Sequence, residues 1–235
     1  MAHAPAYPHD AIAEIAPDVF VVRGSLRLNP VIRISRNMTV VRDGDELSLI
    51  NPIRLNEAGV AALRGLGRVR RIVTLGALHG LDDAWTRETF GVQTWARPGS
   101  RRYPPPADCT PLDADHPLPF PQARLFCFGS TEPESAILLE RGGGLLLTCD
   151  SIQHYGDYHQ MSPAARLVLP FIGFPKRTLV GPIWLKAMTP PGGSLRRDFE
   201  RLLDWKFDSL MAAHGSFLAT GAHRAVRAAV DAAFA

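Results

Sequence analysis

Apolar residues run along this chain in short bursts broken by glycine, proline and charge, and two periodicities can be read from them. Val19–Arg23, Met38–Arg42, Glu46–Ile50, Arg70–Thr74, Val92–Ala96, Ala123–Phe128, Ala136–Glu140, Leu145–Thr148 and Ser209–Ala213 read as strands. Several are rich enough in Val, Ile, Leu and Phe to be buried on one or both faces. Asp43-Gly44-Asp45 predicts a tight hairpin between two of them, and Arg141-Gly142-Gly143-Gly144 a second. A helical period appears at Glu57–Leu66, with Asn56 as its cap and Gly67 at its end. It recurs at Leu195–Trp205, capped by Ser194, and at Ala222–Ala235, with a weaker helix over Asp82–Phe90. Two stretches predict long loops, the proline-rich Arg97–Pro121 and His154–Pro191. Loops of this length in a compact domain are usually functional or mobile. Hairpins followed by strand–helix units suggest two face-to-face sheets with helices outside, an α/β layered fold. Residues 1–17 read as an N-terminal tail and 18–235 as one domain.

Bulk properties narrow the function classes. A chain of 235 residues with 46% hydrophobic and 21% charged residues can bury a substantial core. The net charge of +3 is a slight arginine excess without a polybasic tract, so nucleic acid is not an expected partner. The first 17 residues lack the basic and apolar regions of a signal peptide, and no apolar run approaches a bilayer span, so no membrane role is expected. Cys109, Cys127 and Cys149 are odd in number and lack C-x-x-C spacing. They read as reduced thiols of a cytoplasmic protein.

The candidate chemistry lies in four segments, each at the end of an apolar strand: Leu75–Asp83, Phe128-Gly129-Ser130-Thr131, Leu145–Asp150 and Ala213-His214-Gly215. Such loops are the usual place for an α/β active site. Asp150 directly follows an apolar strand, where an unpaired carboxylate is costly to bury. Its plainer reading is a turn carboxylate, and Asp82 and Asp83 also suit the first turn of a helix.

The order and surroundings of these segments resemble the metallo-β-lactamase superfamily. Asn37-Met38-Thr39-Val40-Val41-Arg42 followed by Glu46–Leu55 looks like its opening hairpin and first loop, and Leu66–Thr74 like the strand into the first metal loop. The likeness runs from about Val19 to Ala235 and points to a divergent branch with a degenerate metal motif. It implies a four-layered αβ/βα sandwich. In active members the first loop reads H-x-H-x-D-H: three imidazoles bind one zinc, and the aspartate and a further histidine bind a second. Here two registers are open. With His79 as the first histidine, Asp83 matches the motif aspartate, while Leu81 and Ala84 replace histidines. With the strand end at Thr74 kept in register, Leu75 and Ala77 replace histidines and His79 takes the place of the aspartate. Ser130 stands for the histidine of the second loop, while Asp150 and His214 match the third and fourth.

The resemblance therefore implies a reduced ligand set, His79, Asp83, Asp150 and His214, holding at most one Zn, Fe or Mn ion, with Asp82 or Asp83 as general base. His154 and His159 are candidates for a fifth group. Cys149 is read as an inert buried thiol, with a soft-ligand role as the alternative. His3 and His9 have no assigned role. Phe171, Phe174 and Trp184 line a pocket, meet a second subunit or pack in the core. The function expected is a hydrolase using metal-activated water on a small molecule. The alternative is a fold-retaining protein without metal that binds a small molecule or a protein, and homo-oligomer formation stays open.

Overall fold

The computed structural model describes residues 3–235. Its first sheet has strands in chain order. Strands β1 (Ala13–Ala16), β2 (Val19–Arg27), β3 (Arg33–Asp43) and β4 (Glu46–Ile50) form an antiparallel meander. It continues in parallel with β5 (Arg68–Thr74), β6 (Gln93–Ala96) and β7 (Thr110–Pro111). The second sheet contains β8 (Ala123–Cys127), β9 (Ser135–Leu139) and β10 (Leu145–Thr148), with the late strand β13 (Ser209–Ala212) parallel to β10 at its edge. A small antiparallel pair, β11 (Ile152–His154) and β12 (Thr178–Val180), lies between them in sequence.

The strand period of two sets the layers, because alternate side chains point to opposite faces. Val19, Val21, Val41, Ile50 and Val73 of the first sheet meet Ile137, Leu139, Leu145, Leu147 and Met211 of the second in one core. The intervening Phe20, Val22, Val40, Leu49 and Ile72 face outward. They are covered by α1 (Glu57–Leu66), through Leu63, and by α2 (Asp83–Phe90), through Trp85 and Phe90. On the other side Leu138, Leu146 and Leu210 are covered by α4 (Pro182–Met188), α5 (Arg196–Leu202) and α6 (Ala222–Ala233). The result is the four-layered αβ/βα sandwich.

Local signals hold where they are stereochemical. Asn56 accepts the Gly59 N–H at 2.8 Å as the cap of α1, and Gly44 turns the β3–β4 hairpin at φ 61°. The differences are at edges and in long connections. The segment read as a tail supplies edge strand β1, and His9 accepts the backbone N–H of Asn56 at 3.0 Å. His154–Pro191, expected to be a loop, holds β12, α4, helix α3 (Pro163–Val168) and a 3₁₀ turn at Leu169–Ile172. Each of these elements is too short for a period to show in sequence. Helix α5 begins at Arg196, and Ser194 Oγ accepts its N–H at 3.2 Å.

Candidate metal centre

The parallel pairing of β10 with β13 builds the first half of the site. Thr148 is in register with Ala212, so residues two positions further on, Asp150 and His214, emerge side by side. Asp150 Oδ1 lies 3.2 Å from His214 Nε2. The loop after β5 brings His79 across from the other sheet, with Nε2 3.3 Å from Asp150 Oδ2 and 3.1 Å from His214 Nε2. All three residues are buried. Gly215 follows His214 at φ 85°, and a Cβ there would collide with the carbonyl oxygen of His154. This turn therefore favours glycine.

Strand β3 fixes the orientation. His214 Nδ1 donates to the Ser35 carbonyl at 2.6 Å, and Ser35 Oγ accepts the Gly215 N–H at 2.9 Å. A carbonyl only accepts, so Nδ1 carries the hydrogen, and in the neutral ring Nε2 presents a lone pair to the cluster. Asn37 Nδ2 donates to the carbonyls of Ala212 and Gly215, tying β3 to the same turn. Burial works against the charge of Asp150, but the imidazoles of His79 and His214 outweigh it and hold the carboxyl well below its usual range. Burial also lowers the pKa of His79 despite the opposing pull of Asp150.

Nε2 of His79, Nε2 of His214 and the Asp150 carboxylate thus meet at one point. His79 Nδ1 has no partner among the described residues. A divalent cation fits this donor set. His79, Asp150 and His214 each offer one ligand atom within 4.8 Å of the others. The 3.1–3.3 Å separations are close to the roughly 3.4 Å edge of a tetrahedron with ligand bonds of about 2.1 Å. Two imidazoles and a carboxylate suit Zn, Fe or Mn. The carbonyl holding His214 Nδ1–H is the outer-shell arrangement usual for a ligating histidine.

The other candidates are engaged elsewhere. Asp83, expected as a ligand or base, does not join the cluster: Thr74 Oγ1 donates to its Oδ2 at 2.7 Å. The residue keeps some exposed surface, yet its Oδ1 is buried without a partner among the described residues, and burial pushes the carboxyl up to about 6. Asp82, also expected as a base, accepts from Arg36 Nη1 at 2.6 Å in a buried ion pair, because the chain enters α2 there and turns both carboxylates away. Of His79, Asp82 and Asp83, His79 is the one that reaches the cluster. Leu75 and Ala77, which replace histidines in the register that keeps the strand end at Thr74, are buried apolar residues. Ser130 Oγ donates to the Glu132 carbonyl at 2.6 Å and faces its own loop. His154 Nδ1 pairs with Thr178 Oγ1 at 2.8 Å, and His159 Nε2 with exposed Asp10. Burial pushes the Cys149 thiol well up, as expected of an inert thiol.

Sequence reasoning missed Arg36, Glu134 and Gln153. Arg36 is buried, and besides Asp82 it donates to the Pro52 and His79 carbonyls, pinning the first loop. Its signal was an arginine just before an apolar strand core. Glu134 Oε1 accepts the Ser151 N–H at 2.7 Å beneath Asp150, and burial, then the charge of Asp150, raises its pKa well above the usual range. No sequence pattern marks it. Gln153 Nε2 donates to the Asp150 carbonyl at 3.2 Å.

The three donor atoms face a cavity of about 370 Å³. Phe174 and Trp184 line it, whereas Phe171 is 85% exposed outside it. A larger groove of about 680 Å³ lies against α4 and α6, away from these groups, with five alanines of α6 along one side. It brings together no comparable polar set.

No family model matches the sequence, and no curated protein matches it. Solved structures do. The DIM-1 metallo-β-lactamase exposed to ceftazidime is 12% identical with a TM-score of 0.65, over 97% of this chain and 99% of that one. A metallo-β-lactamase from Erythrobacter litoralis is 17% identical with a TM-score of 0.61, over 97% and 96%. FIM-1 from Pseudomonas aeruginosa in its mono-zinc form is 14% identical with a TM-score of 0.63, over 97% and 98%. Likeness this complete at identity this low concerns architecture alone: the chain has the metallo-β-lactamase fold.

Proposed function

We propose that the protein is a metal-dependent hydrolase acting on a small molecule, with a single divalent cation, zinc in the first instance, held by His79, Asp150 and His214. The observation that carries this reading is the convergence of three potential ligand atoms, with one imidazole tautomer fixed from behind, at the floor of a cavity. A bound cation would supply a polarised carbonyl and a water of near-neutral pKa. The chain's own groups have simpler tasks. Asp150 contributes the negative charge, Ser35 orients His214, and Arg36 holds the His79 loop. Three protein ligands leave coordination positions for water and substrate, as a catalytic site requires. Neither Asp82 nor Asp83 serves as base in this reading, since each is already hydrogen-bonded away from the cluster. Among the described residues no helix is long and apolar enough to cross a membrane. Three free cysteines fit a reducing compartment, and on that ground we assign the protein to the cytoplasm.

The test is metal stoichiometry and thermal unfolding of protein stripped with chelator and returned to Zn²⁺ or Mn²⁺. The expected result is one ion per chain, and at a hundredfold excess over Kd about 2.7 kcal/mol of added stability. Asp150→Ala and His214→Ala should abolish both. A melting temperature indifferent to metal and chelator would remove the hydrolase and favour the second reading. That reading, a small-molecule binder without metal, draws its support from the apolar lining of the cavity.

A further inference from the structure

The floor of the cavity is polar, but its mouth is not. Leu28 from the tip of the β2–β3 hairpin, Val168 and Ile172 from the segment around α3, and Ile183 from the start of α4 all line it. They are 58%, 43%, 53% and 63% exposed. Single exposed apolar residues need no explanation, but four from three separate segments around one opening do. The aromatic rings further in are already committed. Trp184 packs edge-on against Phe128 and Phe199 at 5.6 and 6.1 Å, and Tyr155 against Phe174 at 6.1 Å. The mouth itself is therefore branched aliphatic. Among the described residues, the one lining charge without an ion-pair partner at the rim is Arg102, whose guanidinium lies over Tyr103.

From this division, polar groups at one end and an aliphatic channel leading to them, we infer that the substrate is an acyl ester with a medium-length aliphatic chain. The chain lies between the hairpin tip and the α3 segment, and the ester carbonyl lies at His79, Asp150 and His214. The inference rests on the hydrolase reading for its chemistry and on the cavity alone for its ligand class. The reaction balances without a further reagent. The oxygen of water bonds to the acyl carbon, and the carbon–oxygen bond to the alcohol breaks with its electron pair. The alkoxide takes one proton of the water, and the other leaves as the acid ionises. Ester and water give carboxylate, alcohol and a proton.

The test uses the full chain with zinc and, separately, with chelator. Binding of butyrate and decanoate is measured by calorimetry, and turnover is followed with the 4-nitrophenyl esters of the same acids. Each buried methylene strengthens binding about fourfold, so decanoate should outbind butyrate by at least about a hundredfold. Leu28→Asp and Ile172→Asp, both at exposed positions, should weaken decanoate about tenfold or more, leaving butyrate binding and melting temperature in place. Affinity independent of chain length overturns the inference. So does decanoate binding that ignores both variants. A change of oligomeric state in the variants at constant decanoate affinity also overturns it, since the apolar rim would then face a second copy. Decanoate binding with no ester turnover upholds the ligand class and removes the hydrolase reading. Turnover of both esters at equal kcat/KM does the reverse.

Discussion

Two groups of carboxylates share one rim of this sandwich and have opposite fates. Asp150 is faced by two imidazole nitrogens and a cavity, and its charge is held in place by them. Asp82 and Asp83, at the start of α2, are answered from within the protein, one by the Arg36 guanidinium and the other by the Thr74 hydroxyl. All three have ordinary reasons to follow an apolar strand. What separates a candidate site from a structural polar cluster is whether the acceptors outnumber the donors the fold supplies. At Asp82 the count closes. At Asp150 two imidazoles and a cavity face the carboxylate, and in the proposed reading a cation completes the count.

The contrast can be tested first at its strongest structural point. Asp82→Ala strands the Arg36 guanidinium, which is 2% exposed. Breaking a buried pair by removing one partner costs about 3–5 kcal/mol, and denaturant unfolding should show a loss of that size. Metal stoichiometry at saturating zinc should stay at one. If it falls to zero while the protein remains folded, Asp82 belongs with the cluster after all.

A smaller effect separates Asp83 from Asp150 by pH. The carboxyl of Asp83 is pushed up to about 6 by burial, with Thr74 opposing. A raised pKa contributes stability that is fully present below the unfolded value, near 4, and is lost as pH rises through the folded value. Each pH unit between the two costs the wild type about 1.4 kcal/mol. Asp83→Asn should therefore unfold like wild type near pH 4 and be about 2–3 kcal/mol more stable at pH 8. A gap that fails to open with pH would mean that Asp83 is ionised and paired in the folded protein.

The smallest expected effect concerns the second loop. Ser130 Oγ donates to the Glu132 carbonyl, so Ser130→Ala should cost about 0.5–1.5 kcal/mol and leave zinc affinity unchanged. A measurable drop in zinc affinity would draw this loop into the centre.

The chain itself determined the layers. The apolar runs Leu145–Thr148 and Val19–Arg23, the Asn56 cap and the turn glycines are local instructions, read from neighbours in sequence. It also marked His79, Asp150 and His214 as polar residues at strand ends. Tertiary structure alone decided that His79 turns inward and that Asp83 goes to Thr74, since that depends on where α2 docks. It alone brought Ser35 behind His214 across 179 positions, buried Glu134 beneath Asp150, and folded His154–Pro191 into the wall of a cavity. These pairings join segments far apart in sequence. A long-range contact leaves no period along the chain, because its partner is chosen by packing and not by spacing.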